Sequence, residues 1–140
     1  MKVNSLFNLS FFQIIVFTYI FLWLVLVKGM LFFMKVKTVK NILSIVERIK
    51  IKKNTNLKKL LTSLRIAERR FFQNNCLTVA LVGRMVLAQF YFETKLHIGA
   101  RLDNKKDLNA HAWLSYDDKY IVAGLKSELG HFKEFKGMDL

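Results

Sequence analysis

The sequence predicts an α+β fold, in which a central helix that begins at a cysteine packs on a small antiparallel sheet behind an N-terminal hydrophobic helix. Three observations carry this. A long apolar run opens the chain, two segments of helical period follow in its middle, and after residue 94 the pattern changes to short runs of aromatic and β-branched residues. At 140 residues and 53% hydrophobic side chains, one domain with an appended helix is expected, and intrinsic disorder is excluded. The single cysteine excludes an internal disulfide framework and a four-thiolate zinc site.

The first element is Phe11–Val27 (FFQIIVFTYIFLWLVLV), interrupted only by Gln13 and Thr18. Extended upstream through Leu6, Phe7 and Leu9, it is long enough for a helix of about 20 residues to cross a bilayer core. A signal peptide fits less well, because the basic n-region is Lys2 alone and no small-x-small cleavage site precedes Lys28. A fully buried core helix is the soluble alternative, for which a chain this short offers little interior. Tyr19 and Trp23 are candidates for a membrane interface.

The net charge of +13 points to nucleic acid or anionic membrane as partner, and its placement favours membrane. Between Lys28 and Leu60 stand ten lysines and arginines against Glu47 alone, whereas the remainder is nearly balanced. Lys35, Lys37, Lys40, Arg48, Lys50, Lys52 and Lys53 alternate with Val36, Val39, Ile42, Leu43, Ile45, Val46 and Ile49, a pattern suited to a helix lying on anionic headgroups. No aromatic platform is interleaved with these cations, so RNA binding is the weaker reading. By the positive-inside rule the basic side faces the cytoplasm. The chain thus divides into a hydrophobic, membrane-associated helix (1–28), a basic amphipathic connector (29–56) and a C-terminal domain (57–140).

Within that domain, Asn54-Thr55-Asn56 caps a helix whose apolar residues fall at Leu57, Leu60, Leu61, Leu64, Ala67 and Phe71. Gln73-Asn74-Asn75 breaks the pattern. The next run, CLTVALVGRMVLAQFYF from Cys76, is apolar on most faces and suits a helix surrounded by other elements. Strands are expected at Lys95–Ala100, Ala110–Tyr116 and Lys119–Ala123, with a two-residue hairpin turn at Asp117-Asp118.

The candidate chemistry lies at Cys76 and His111. A cysteine in the first helical turn, capped by Asn74 and Asn75, meets free amide N–H groups and the positive end of the helix dipole, which favour thiolate. The thiolate is the nucleophilic form, and the same amides suit a developing oxyanion. A histidine beside it can act as general base and then protonate the leaving group. Each residue also has a plain structural reading, Cys76 as a small buried hydrophobe and His111 as a core or surface histidine. His97 and His131 would be needed for a Cys/His metal site, but no short ligand spacing supports one.

The order of these pieces resembles the transglutaminase-like cysteine proteases, and among them the stand-alone leader peptidase of lasso-peptide biosynthesis. The stretches that carry the resemblance are Arg69 through Asn75-Cys76-Leu77 with Ala80-Leu81, Leu96-His97-Ile98-Gly99-Ala100 with Asp103, Ala110-His111-Ala112-Trp113-Leu114, and Ile121-Val122-Ala123-Gly124. It covers about residues 57–135 and implies a papain/transglutaminase-like core with Cys76 as nucleophile and His111 as base. It also implies removal of the leader from a ribosomally made precursor peptide, with no cofactor and no metal. A separate leader-recognition protein would bind the leader, and an ATP-dependent, asparagine-synthetase-like cyclase would then close the macrolactam. The implied location is the cytoplasmic face of the cell membrane, a single transmembrane helix being one form of attachment.

The sequence departs from the family pattern in two places. An acid is expected on the strand after the histidine, yet counting outward from the turn pairs His111 with Gly124 and puts Val122 and Ala123 beside it. Asp117 and Asp118 sit some 15–20 Å along the strand, which leaves Glu128 or a backbone carbonyl as substitutes. The glycine usual between the central helix and the next strand is also replaced, by Phe92-Glu93-Thr94. These departures keep two other readings open: a catalytically degenerate scaffold of the same biosynthetic complex, and a basic membrane protein that binds anionic lipid or RNA.

Overall fold

The computed structural model describes residues 11–51, 55–73, 75–102, 105–122 and 133–134. Four helices, α1 (Phe11–Phe33), α2 (Val36–Val46), α3 (Leu57–Phe71) and α4 (Cys76–Gln89), precede strands β1 (Lys95–Leu102), β2 (Leu108–Tyr116), β3 (Lys119–Val122) and β4 (Lys133–Glu134). The strands form one sheet in the order β3-β2-β1-β4, and every neighbouring pair is antiparallel.

Helix α4 is the axis of the core. From Thr78 to Gln89 every residue is buried except the half-buried Arg84, as its all-round apolar sequence requires. One face meets β2, whose Ala112 and Leu114 are buried. A Cβ on Gly83 would stand 3.1 Å from Leu114 Cδ1, so the missing side chain is what lets α4 and β2 approach this closely. The helix ends in a Schellman motif, with the Phe92 amide bonded to the Leu87 carbonyl at 2.9 Å and the Tyr91 amide to the Ala88 carbonyl at 3.1 Å. That motif needs a left-handed residue, and the residue is Tyr91, with φ 68°. The glycine sought in the sequence is therefore replaced at Tyr91, ahead of the Phe92-Glu93-Thr94 stretch.

Helix α3 starts where the sequence places it. Asn56 is its cap, its side chain accepting the Lys58 amide at 3.0 Å. The caps expected for α4 differ. Asn75 occupies the N-cap position without a side-chain bond, and Asn74 lies outside the described residues.

Helix α1 runs on past Val27 to Phe33. Val16, Ile20, Leu24 and Val27 form a buried stripe at helical spacing, and α1 packs on α3 and α4. Phe21 sets its ring edge-on to Phe71 and Phe72, at 5.1 and 6.1 Å. The Tyr19 hydroxyl, a candidate for a membrane interface by sequence, instead donates to Gln89 Oε1 at 2.9 Å. Gln89 is itself buried, and its amide nitrogen donates to the Val46 carbonyl at 3.2 Å. Three helices are thus joined by one side chain. Helix α2, read from sequence as lying on headgroups, uses its apolar side within the protein. Val39 and Leu43 are buried, and α2 packs on α4 and α1.

The β2–β3 turn has the predicted tight form, with φ 49° at Asp117 and 58° at Asp118. A type I′ turn requires both values to be positive, and aspartate tolerates that conformation. Tyr116 pairs with Lys119 and Ser115 with Tyr120, but Leu114 then pairs with Val122, because the ladder is irregular between Leu114 and Ser115. The register counted from sequence is off by one beyond that point, and Ala123, Gly124 and Glu128 lie outside the described residues.

Candidate active site

The chain from α3 to α4 turns tightly, the Asn75 amide bonding the Phe72 carbonyl at 3.0 Å. Cys76 therefore stands at the first position of a helix whose body is fixed in the core, half-exposed and reduced. His111 lies on β2, one residue before the buried Ala112. Because α4 packs against β2, the two side chains, remote along the chain, meet: the His111 side chain hydrogen-bonds Cys76.

Burial by itself pushes the Cys76 thiol up. The His111 hydrogen bond, the backbone amide of Ala112, the charge of His111 and the backbone amide of Leu77 act against it, and together they hold the thiol below its ordinary value. All four opposing effects favour the sulfur anion, by hydrogen bonding to it or by opposite charge. The sulfur thus has the surroundings of a reactive thiol rather than of an inert buried one.

A stack of rings fixes the imidazole. Trp113 lies nearly parallel to His111, with centroids 6.1 Å apart and 20° between planes. On Trp113 also stacks His97, at 5.6 Å and 11°. His97 Nε2 in turn hydrogen-bonds Ser115 Oγ at 2.7 Å. The register explains the grouping, since His97 pairs with Trp113 across β1 and β2, and His111, Trp113 and Ser115 alternate onto one face. His97, considered from sequence as a metal ligand, is thus a support for the tryptophan. His131 and Asp103 lie outside the described residues.

Among the described residues, an acid in electrostatic reach of His111 is Glu68, in the last turns of α3 and half-buried. Burial raises its carboxyl, and attraction to His111, Arg69 and Arg65 only partly offsets the rise. Sequence reasoning sought an acid after the histidine and missed this one before the cysteine. Its only signal was position, eight residues ahead of Cys76 across a short helix–helix turn. Asp117 and Asp118 occupy the exposed hairpin tip.

A cleft of about 320 Å³ opens at the sulfur. Asn75, Cys76, Leu77 and Thr78 form one side, and Lys28, Leu31 and Phe32 of α1 form the other. The Lys28 ammonium also lies 5.7 Å from the centre of the Phe72 ring. That the N-terminal helix reaches the cysteine was not legible beforehand, because an apolar run reports hydropathy and not its neighbour.

The arrangement can perform nucleophilic acyl chemistry. It offers an activated sulfur, an imidazole to carry a proton, and amides at a helix start to receive negative charge. Residues 33–135 match the family model described as the Transglutaminase-like superfamily. No curated protein and no solved structure matches the chain.

Proposed function

Because the chain belongs to the transglutaminase-like superfamily, which includes cysteine peptidases, we propose that it is a cysteine peptidase that removes the leader from a ribosomally made, lasso-type precursor peptide before macrolactam closure. The observation that carries this reading is the hydrogen bond between Cys76 and His111.

In the proposed reaction the Cys76 thiolate attacks the scissile carbonyl, and amides at the start of α4 receive the oxyanion. His111 protonates the departing amine as the thioester forms. It then takes a proton from water, which releases the leader's carboxylate and restores the thiol. A separate leader-recognition protein delivers the precursor. An ATP-dependent, asparagine-synthetase-like cyclase consumes the new amino terminus. The enzyme works on the cytoplasmic face of the cell membrane. The length and apolarity of α1 and the basic residues after it support that placement.

The test is cleavage of the precursor, supplied with its recognition protein and read by mass spectrometry. Cys76→Ala is expected to abolish leader removal while the helical and sheet signals persist; cleavage at the wild-type rate would overturn the assignment. A scaffold role in the same complex has one observation in its favour, the lack of a carboxylate beside His111 among the described residues of β3. A thiol-reactive probe decides between the two, since a scaffold has no reason to keep a fast, His111-dependent sulfur.

A further inference from the structure

Around α1 the exposed and buried residues separate cleanly. Ile14, Ile15, Leu22, Val25, Leu26 and Phe33 are each about half exposed or more. At 100° per residue they centre roughly opposite the buried stripe of Val16, Ile20, Leu24 and Val27. That outer face carries no charged side chain. Its one hydroxyl, on Thr18, is satisfied within the helix by the Ile14 carbonyl at 2.9 Å. A face with every polar group internally bonded is what hydrocarbon requires. It is also far longer than the scattered apolar residues of a water-exposed surface. Exposed lysines follow at its C-terminal end, Lys35 and Lys37, where anionic headgroups would meet them.

A helix seated this way has no route across the bilayer. Its stripe packs on α3 and α4, and α3 bears the exposed Lys58, Arg65, Arg69 and Arg70. If α1 crossed while docked, those cations would enter hydrocarbon, at a high cost for each. If it undocked to cross, its buried stripe and the side chains beneath would lose their packing.

We propose that α1 lies in the plane of an anionic membrane surface, its outer face sunk among the acyl chains and its inner face holding the domain, so that the protein is monotopic. This rests on the membrane placement given above and not on the peptidase chemistry.

The experiment uses the full chain with Cys76→Ser and a single depth-sensitive spin label, at Ile14→Cys, Leu22→Cys or Phe33→Cys, on vesicles with and without phosphatidylglycerol. All three positions are exposed, so folding is preserved and circular dichroism checks it. The expected result is one shared shallow depth and tighter binding to the anionic vesicles. A gradient would overturn the in-plane geometry while leaving membrane attachment intact, with Leu22 deepest and the two end labels, about 28 Å apart along the helix, near opposite surfaces. No lipid contact at any position would overturn attachment as well, and label–label coupling without vesicles would assign the face to a second copy. In the otherwise native chain, Leu22→Glu with Val25→Glu should weaken vesicle binding by more than about tenfold and leave the alkylation rate of Cys76 unchanged. Undiminished binding would also refute the proposal.

Discussion

Replacing His111 with alanine tests the centre of the site most directly. Against burial, which raises the thiol, the structure sets four effects, and two of them belong to His111: its hydrogen bond and its charge. A hydrogen bond to a charged group contributes roughly 1.5–3 kcal/mol. Because Cys76 is half-exposed, the low end applies, about a factor of ten in the thiolate population near neutral pH. The sulfur that remains is more basic and intrinsically more nucleophilic, which returns part of the loss. The net expectation is alkylation by iodoacetamide about three- to fourfold slower at pH 7. The direction with pH follows. In the wild type the rate rises through a thiol pKa held below the ordinary value, and in His111→Ala the rise moves to higher pH, with the curves crossing once both thiols are ionised, where the more basic sulfur of the variant is the faster. The assay is a pH series of labelling rates read by intact mass. Superimposable profiles would refute the reasoning, because they would mean that the imidazole does not act on the sulfur.

Three further outcomes are expected. Leu24 is fully buried and Leu22 is 62% exposed, so Leu24→Ala should lower the unfolding free energy by about 2–5 kcal/mol while Leu22→Ala changes it little, measured by denaturant titration in a mild detergent. Tyr91→Gly should raise stability by about 1 kcal/mol, since relief of the left-handed strain exceeds the loss of the contact with Lys50, whose ammonium lies 5.6 Å from the ring centre; the same titration reads it. Glu68→Gln should slow alkylation of Cys76 by about two- to threefold above the raised pKa of that carboxyl, where Glu68 is anionic and favours a protonated His111. Below it the variant and the wild type should coincide, because the wild-type carboxyl is then neutral too.

The sequence displayed much of this fold because the strongest signals were local. The period of Leu57 through Phe71 and the all-round apolarity after Cys76 each specify an element whatever surrounds it. The hairpin at Asp117-Asp118 was legible for the same reason. Partners were not legible. The apolar side of α2 looked like a lipid-facing one, yet Val39 and Leu43 meet protein. Hydropathy gives the preference for leaving water and is silent on the destination. The irregularity between Leu114 and Ser115 shifts the register by one with no turn residue to announce it. Glu68 escaped notice because its relation to His111 exists only after α3, α4 and β2 have packed together.

The cleft wall contributed by Lys28, Leu31 and Phe32 has a practical consequence. The family match begins at residue 33, so a fragment cut at that boundary to improve solubility would discard one rim of the groove as well as the four side chains that plug the core. Such a fragment would be a damaged domain, and its inactivity would say nothing about the intact chain. Preparations meant to test for activity must carry the apolar helix along, because its buried side chains share one continuous core with the rest of the domain.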